Sequence, residues 1–309
     1  MSIINKVPAG AGAEWLLGGF KLLWRSPATM AAVSVAGLFV VMMAVVVAFA
    51  VVAATASFPF PLSLIPLAIY CALTLGVPCL VFAGVIWAAR EVALGKPARV
   101  QHLQAGLGHV RALLVTSVVP MAGLFLSSLL LIALLGNEGV QHVNEVLMKL
   151  QALFANGAQP NPTEVEALIA TLPMFRFLFW MLLTLLTTPF VVCVLMLAVS
   201  DVVFSGRSGF SALRLSIAAN FKNFTAMIVF SLLLTALLFG ISAAAQLVGL
   251  TVQFVLGPVA AILVINLLLA AVLMPVLAGA AYTAWQQVLA GNEGESSHVA
   301  SQASTHIEA

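Results

Sequence analysis

The chain has 309 residues, 63% of them hydrophobic and 7% charged, and its mean hydropathy is +1.16. Soluble domains carry roughly a quarter charged residues, so this balance excludes a single soluble globular domain and points to a multi-span membrane protein. A formal net charge of +2 excludes the broad basic field that nucleic-acid binding needs.

In chain order, Lys6 is followed by small residues rather than an apolar core, so Met1 to Gly12 is not expected to act as a signal peptide. A short amphipathic lead-in over about 13–24 runs into Arg25, and an apolar run over 28–54 follows. A Pro-rich hairpin, Phe58-Pro59-Phe60-Pro61, joins it to a second run over 62–89, which carries Pro78 and ends at Arg90. A second lead-in over 99–109 reaches Arg111 and a third run, 112–135. The stretch 136–173 is the long connection. In it Val140, Val143, Leu147, Leu150 and Phe154 step at helical spacing, and Asn161-Pro162-Thr163-Glu164 has the form of a capping box with Pro at the first helical position. It is expected to form two short amphipathic helices on the outer membrane surface. The fourth run, 174–200, carries Pro189 and ends at Asp201. A third lead-in over 210–221 ends at Lys222 and precedes runs over 224–248 and 257–288, with a hairpin expected near Gly249 to Pro258. The last run carries Pro275 and ends at Gln287; the polar tail 291–309 lacks periodicity and is expected to be a disordered cytoplasmic tail.

Each run meets the length of about 20 residues that a helix needs to cross a hydrocarbon core of roughly 30 Å. The alternation of a membrane β-barrel is absent, and a helix satisfies its own backbone in lipid. The fold class is therefore all-α: a polytopic bundle of six transmembrane helices with amphipathic interfacial helices. Lys6, Lys21, Arg25, Arg90, Lys96, Arg99, Arg111, Arg207, Arg214 and Lys222 fall on one side, and only Lys149 and Arg176 on the other. The positive-inside rule makes the first side cytoplasmic and places both termini there.

The grammar repeats. Pro78 lies 53 residues after Arg25, and Pro275 lies 53 after Lys222. Arg111 lies 33 after Pro78, and Lys222 lies 33 after Pro189. Gly95-Lys96 and Gly206-Arg207 both begin 17 after their proline, and Arg90, Asp201 and Gln287 each lie 12 after theirs. One unit used three times, over about 13–97, 98–208 and 209–290, accounts for these intervals if the second copy carries 25 extra residues in its outer loop. Two spans per unit make all three copies enter the membrane the same way, so they would surround an axis along the membrane normal. The cytoplasmic ends of the even spans would then meet, with Arg90 and Asp201 pairing and Gln287 completing a polar ring.

No charged residue or histidine lies deep in a run, which argues against a pump, a voltage sensor or an intramembrane protease. Thr187 and Thr188 are expected to satisfy carbonyls freed by Pro189, and Asn266 to bond another helix. Cys71, Cys79 and Cys193 lie in apolar runs and read as small buried hydrophobes. His102 and His109 are seven apart, wide for a metal pair on one helix, and His142 with Glu145 offers two ligands at most. No catalytic residue, cofactor or metal is expected. Arg25, Arg111 and Lys222 are expected to lay their stems along apolar helix and reach lipid phosphate. Pro78, Pro189 and Pro275 are the expected helix kinks.

Val7-Pro8-Ala9-Gly10, Trp15, Gly19-Phe20 and Arg25-Ser26-Pro27 at the start, with Gly84, Ala88-Ala89-Arg90, Gly95 and the closing Pro275-Val276-Leu277-Ala278-Gly279 before Tyr282, resemble a family of uncharacterised bacterial six-span inner-membrane proteins. The resemblance implies a bacterial inner-membrane location and brings no activity with it. The layout also resembles the membrane part that precedes the catalytic domain of some glycerophosphodiester phosphodiesterases, but no such domain is expected after Gly291. Mitochondrial carriers share three two-span repeats, yet no charge accompanies Pro78-Cys79-Leu80, Pro189-Phe190-Val191 or Pro275-Val276-Leu277, so that likeness is architectural. The functional expectation is a non-enzymatic scaffold or assembly factor that meets lipids or a protein partner. The alternative is a passive or weakly coupled carrier of a small molecule or lipid, with the even spans lining a central site.

Overall fold

A computed structural model describes residues 4–55, 62, 64–155 and 161–290. The expected Phe58-to-Pro61 hairpin and the tail 291–309 lie outside these residues. Every regular element among them is a helix. The first lead-in is α1 (Ala11–Arg25), which turns at Ser26 into α2 (Pro27–Ala54), the first span. Pro27 opens α2 because a helix's first residue needs no amide donor and proline's fixed φ already suits it. The second span is α3 (Leu64–Cys71), one π-helical turn (Ala72–Gly76) and α4 (Val77–Ala93). The second lead-in is a 3₁₀ helix, Val100–His109, followed by α5 (Val110–Thr116) and α6 (Val118–Ala155). Then come α7 (Pro162–Ala170), α8 (Met174–Ser205), the third lead-in α9 (Gly209–Lys222), α10 (Phe224–Leu256) and α11 (Pro258–Val288). Six of these helical stretches are long and apolar enough to cross a membrane, so the chain is an all-α multi-pass membrane protein. The 28 residues of α2 alone reach about 42 Å.

Local structure departs from the sequence expectation in four places. The fifth span continues to Leu256, and Gly257 (φ +86°) makes the hairpin alone; Gly249 lies inside α10, where it admits the side chain of Ile265. The second lead-in is 3₁₀ rather than α over ten residues, an unusual length for so tight a helix. Its two glycines, Gly106 and Gly108, lower its α propensity, and Gly106 lies so close to α4 that a methyl group there would press on the carbonyl of Leu80. Pro78 is accommodated by the π turn just before it, whereas Pro189 and Pro275 lie inside unbroken helices. The threonines before Pro189 bond carbonyls one and two residues before that of Leu185, which the proline leaves free: Thr188 donates to the carbonyl of Thr184 at 2.7 Å and Thr187 to that of Leu183 at 3.0 Å.

The described residues divide into two compact units: one holds the chain up to Val119 and from Val192 onward, the other is Pro120–Val191. In the smaller unit, α6 breaks at Gly136 (φ +72°, ψ 167°), where the predicted outer loop begins, and 137–155 is helical as its periodicity requires. The Asn161 carboxamide accepts from the Thr163 amide at 3.1 Å and Pro162 opens α7, so the start signal was correctly placed. The Trp180 indole donates to the carbonyl of Ser127 at 2.9 Å, and the Ser127 and Thr184 hydroxyls meet at 3.1 Å.

The core of the larger unit lies in the last half of the even spans. In α4 it includes Val81, Ala83, Val85, Ile86, Ala88 and Ala89; in α8, Cys193 and Met196 to Val203; in α11, Val276, Ala278, Ala280 and Ala281. Alanine and glycine are prominent in the α4 and α11 stretches for a physical reason. Lipid tails are as apolar as leucine, so helices gain by close backbone approach rather than by escape from water. The lead-ins pack by the same rule. Gly12 of α1 lies against the Ala226 carbonyl of α10, and Gly19 lies against Val276 and Gly279 of α11. Leu103 of the second lead-in lies over Gly37 of α2 and Gly84 of α4. Gly209 of α9 lies against the Ala112 carbonyl of α5, and Leu213 packs on Ala198 of α8.

Candidate functional site

The chemistry-bearing side chains of the larger unit gather where the even spans end. Two of those ends are built alike. Gly95 (φ +80°) and Gly206 (φ +64°) take the left-handed conformation that ends a helix without a side-chain clash. Each is followed by a base that folds back on an acid of its own helix: Lys96 Nζ reaches Glu91 at 3.3 Å, and Arg207 Nη1 reaches Asp201 at 3.0 Å. In the first pair Lys96 is exposed and Glu91 half-buried, and surface pairs of that kind contribute about 0–1 kcal/mol.

The second pair differs because the Asp201 side chain is fully buried. Arg207 Nη1 donates to both carboxylate oxygens at 3.0 Å, the Ser205 hydroxyl donates to Oδ1 at 3.0 Å, and the Trp285 indole of α11 approaches the same oxygen at 3.4 Å. Around it lies an aromatic group from all three even spans. The Phe204 ring is 4.8 Å from Trp285, 5.6 Å from Tyr282 and 6.1 Å from Trp87. The Arg90 guanidinium covers Trp87 at 5.0 Å and Phe204 at 5.5 Å, a cation–π arrangement.

The expected ring of Arg90, Asp201 and Gln287 is thus redistributed. The three helix ends meet, but Asp201 takes Arg207 as its ion partner and Arg90 stacks on aromatic faces instead. Gln287 faces α1: it accepts from the Trp15 indole at 2.7 Å and donates to Glu14 at 3.2 Å. Trp285, two residues earlier, is the member of α11 that reaches Asp201. A buried carboxylate recruits the nearest donor that its backbone can deliver, and the Gly206 turn delivers Arg207.

The chain matches no family model, and no curated protein or solved structure matches it.

The three basic residues that open the odd spans have different fates. Arg25 is exposed. The Lys222 ammonium donates to the carbonyl of Ile4 at 2.6 Å, so it holds the N-terminal segment rather than reaching out alone. The same corner holds that segment by further bonds. Asn223, 1% exposed, accepts from the Val7 amide at 2.8 Å and donates to the Asn5 carbonyl at 3.0 Å, and the Asn5 amide bonds Val288 at 2.9 Å. Sequence reasoning missed Asn223. Its signal was an amide residue directly after the basic residue at a span's start, which lipid snorkelling does not require.

Arg111 is exposed and lines a groove of about 630 Å³ between α5 and the start of α9. His109, Arg207, Ser208 and Gly209 line it as well. Asn266, expected to bond another helix, donates to the Ile262 carbonyl of its own helix at 2.8 Å. His102 Nδ1 accepts from the Arg99 amide at 3.2 Å and so caps the 3₁₀ helix, and the His142 ring meets Thr171 at 3.1 Å. The three cysteines are free thiols, Cys79 and Cys193 buried and Cys71 half-buried. Among the described residues no three His, Cys, Asp or Glu side chains gather as a metal site would need.

Proposed function

We propose that the protein is a non-enzymatic scaffold or assembly factor of the bacterial inner membrane, with both termini cytoplasmic, and that it works through contacts with lipids and a protein partner. The observation that carries this reading is the two-faced packing of the lead-in helices. Each is docked on the spans through small residues, yet each turns large apolar side chains outward: Leu17 and Trp24 in the first, Leu107 in the second, Phe210 and Phe221 in the third. A helix clamped on one side and apolar on the other suits the boundary between headgroups and acyl chains, where bound lipid or a partner's membrane segment can cover it. In this reading the chain is three copies of one unit, and each lead-in rests on the two spans of the preceding copy in cyclic order. That order is supported by the contacts of Gly12 with Ala226, of Gly84 with Leu103 and of Gly209 with Ala112.

The carrier reading keeps one observation in its favour, the π turn at Ala72–Gly76, a feature that often marks functional sites in helices. One experiment separates the two. A photoreactive residue at Trp24 or Phe210 should capture lipid or a defined protein partner in whole cells, whereas the same residue at buried Val85 should capture neither. Equal capture at all three positions, together with solute flux through the protein reconstituted in liposomes, would favour the carrier.

A further inference from the structure

The Arg111 groove has a feature that the rest of the larger unit lacks a use for: two arginines line it and no carboxylate does. We propose that this groove binds a phosphate group, presented either by the headgroup of an anionic phospholipid or as free phosphate. The proposal deepens the lipid-contact reading above and rests on it for the lipid source.

Arg207 is pre-positioned. Its Nη1 is committed to buried Asp201, which fixes the guanidinium and leaves the N–H groups of Nη2 and Nε for another acceptor. Arg111 is exposed and has no ion pair among the described residues. Asp201 balances the charge of Arg207 and leaves that of Arg111 unbalanced, and the oxygens of a phosphate monoanion or dianion would meet that charge while matching the guanidinium fork. The volume of about 630 Å³ lies within the usual range for small-ligand sites, roughly 300–1,000 Å³.

The corner at Lys222 shows what such a position asks for. There the base that opens a span meets a carbonyl oxygen of the segment preceding α1, at 2.6 Å. At the Arg111 corner the segment preceding α9 is Gly206 to Ser208, and it brings a second cation, Arg207. An external set of acceptor oxygens completes the second corner as the Ile4 carbonyl completes the first. His109 adds a further polar side chain to the lining, and the first turn of α9, which has no side-chain cap at Ser208, adds only partial charge; the arginines carry the site.

The test uses the full chain in detergent, with phosphatidylglycerol titrated in and bound lipid read by native mass spectrometry. Inorganic phosphate is added in a parallel arm. Arg111→Gln should weaken phosphatidylglycerol binding about tenfold, the loss of one charge-assisted contact, and Arg111→Lys should restore part of it. Arg214→Gln, on the exposed face of α9 outside the groove, should bind as the unaltered protein does. Displacement of the lipid by inorganic phosphate, or phosphate binding alone, identifies free phosphate as a source; lipid binding that phosphate leaves untouched identifies the headgroup. Equal binding by Arg111→Gln and the unaltered protein in both arms, or an equal loss in Arg214→Gln, overturns the site. If lipid capture at Trp24 persists while the groove variants change nothing, the groove is wrong and the scaffold reading stands.

Discussion

Arg207 closes back on Asp201 across the Gly206 turn, with one guanidinium nitrogen 3.0 Å from both oxygens of a fully buried carboxylate. The pair joins a helix end to the aromatic group shared by three spans, because Trp285 reaches the same carboxylate and Phe204 lies one turn further along α8. Removing the cation alone leaves a buried charge unpaired. Arg207→Ala should therefore cost about 3–5 kcal/mol, measured as loss of the thermal transition in detergent. Asp201→Asn, which removes the charge but keeps a polar side chain, should cost less. The double variant should be less damaged than the sum of the two; strict additivity would show that the pair is not coupled.

Close helix approach makes a second prediction. A methyl group at Gly19 would overlap the Val276 carbonyl, so Gly19→Ala must push α1 away from α11. About 1–3 kcal/mol of destabilisation is expected. Gly10→Ala serves as the control: no atom lies within 4 Å of its added methyl, and its φ of −61° suits alanine. A similar loss of stability in both would mean that general backbone effects, not the contact, are responsible.

Asn223 provides a third. Its side chain accepts from Val7 and donates to Asn5, and it is nearly inaccessible. Asn223→Ala strands the buried partners and should cost about 1–3 kcal/mol. The loss should concentrate at the N-terminus, so trypsin should cut after Lys6 much faster in the variant than in the unaltered protein. Unchanged cleavage with a lowered melting temperature would show that the anchoring is not local.

Topology is open to direct labelling. In the orientation proposed from the ten-to-two division of basic residues, Gln151 would lie outside and Ser208 inside. Both positions are exposed. With the three native cysteines replaced, Gln151→Cys in intact cells should react with an impermeant thiol reagent and Ser208→Cys should react only after lysis. The opposite pattern would invert the orientation proposed for the chain.

Gly257 offers a narrower check. It turns the fifth span into the sixth at φ +86°, a conformation that side chains resist. Gly257→Val should destabilise the α10–α11 hairpin by about 1–3 kcal/mol, because its φ +86° and ψ 173° fall in a region open essentially to glycine alone, whereas Gly240→Ala, whose added methyl meets open space, should not.

The amino-acid sequence by itself determined the six helices, because twenty or more apolar residues in a row have one way to satisfy their backbone in lipid. It also placed Pro162 at a helix start on chemical grounds and ended the third run at 135, where Gly136 breaks α6. But it stopped two even spans at 89 and 200, short of Ala93 and Ser205 where the glycine turns end them. What it left open was which face of each lead-in is buried and who partners whom. The apolar residues of the lead-ins split between the two sides: Leu16 and Leu213 are buried while Leu107, Ile217 and Phe221 are exposed, and Gly12, Gly19, Gly209 and Ala212 are buried. In water the larger apolar side chain gains more by burial; beside lipid that advantage disappears and the small residue permits the closer contact. Pairing was undecided for a different reason. Asp201 could have reached Arg90 by frame or Arg207 by turn, and the choice depended on the direction in which Gly206 sent the chain, a three-dimensional fact that residue intervals do not contain.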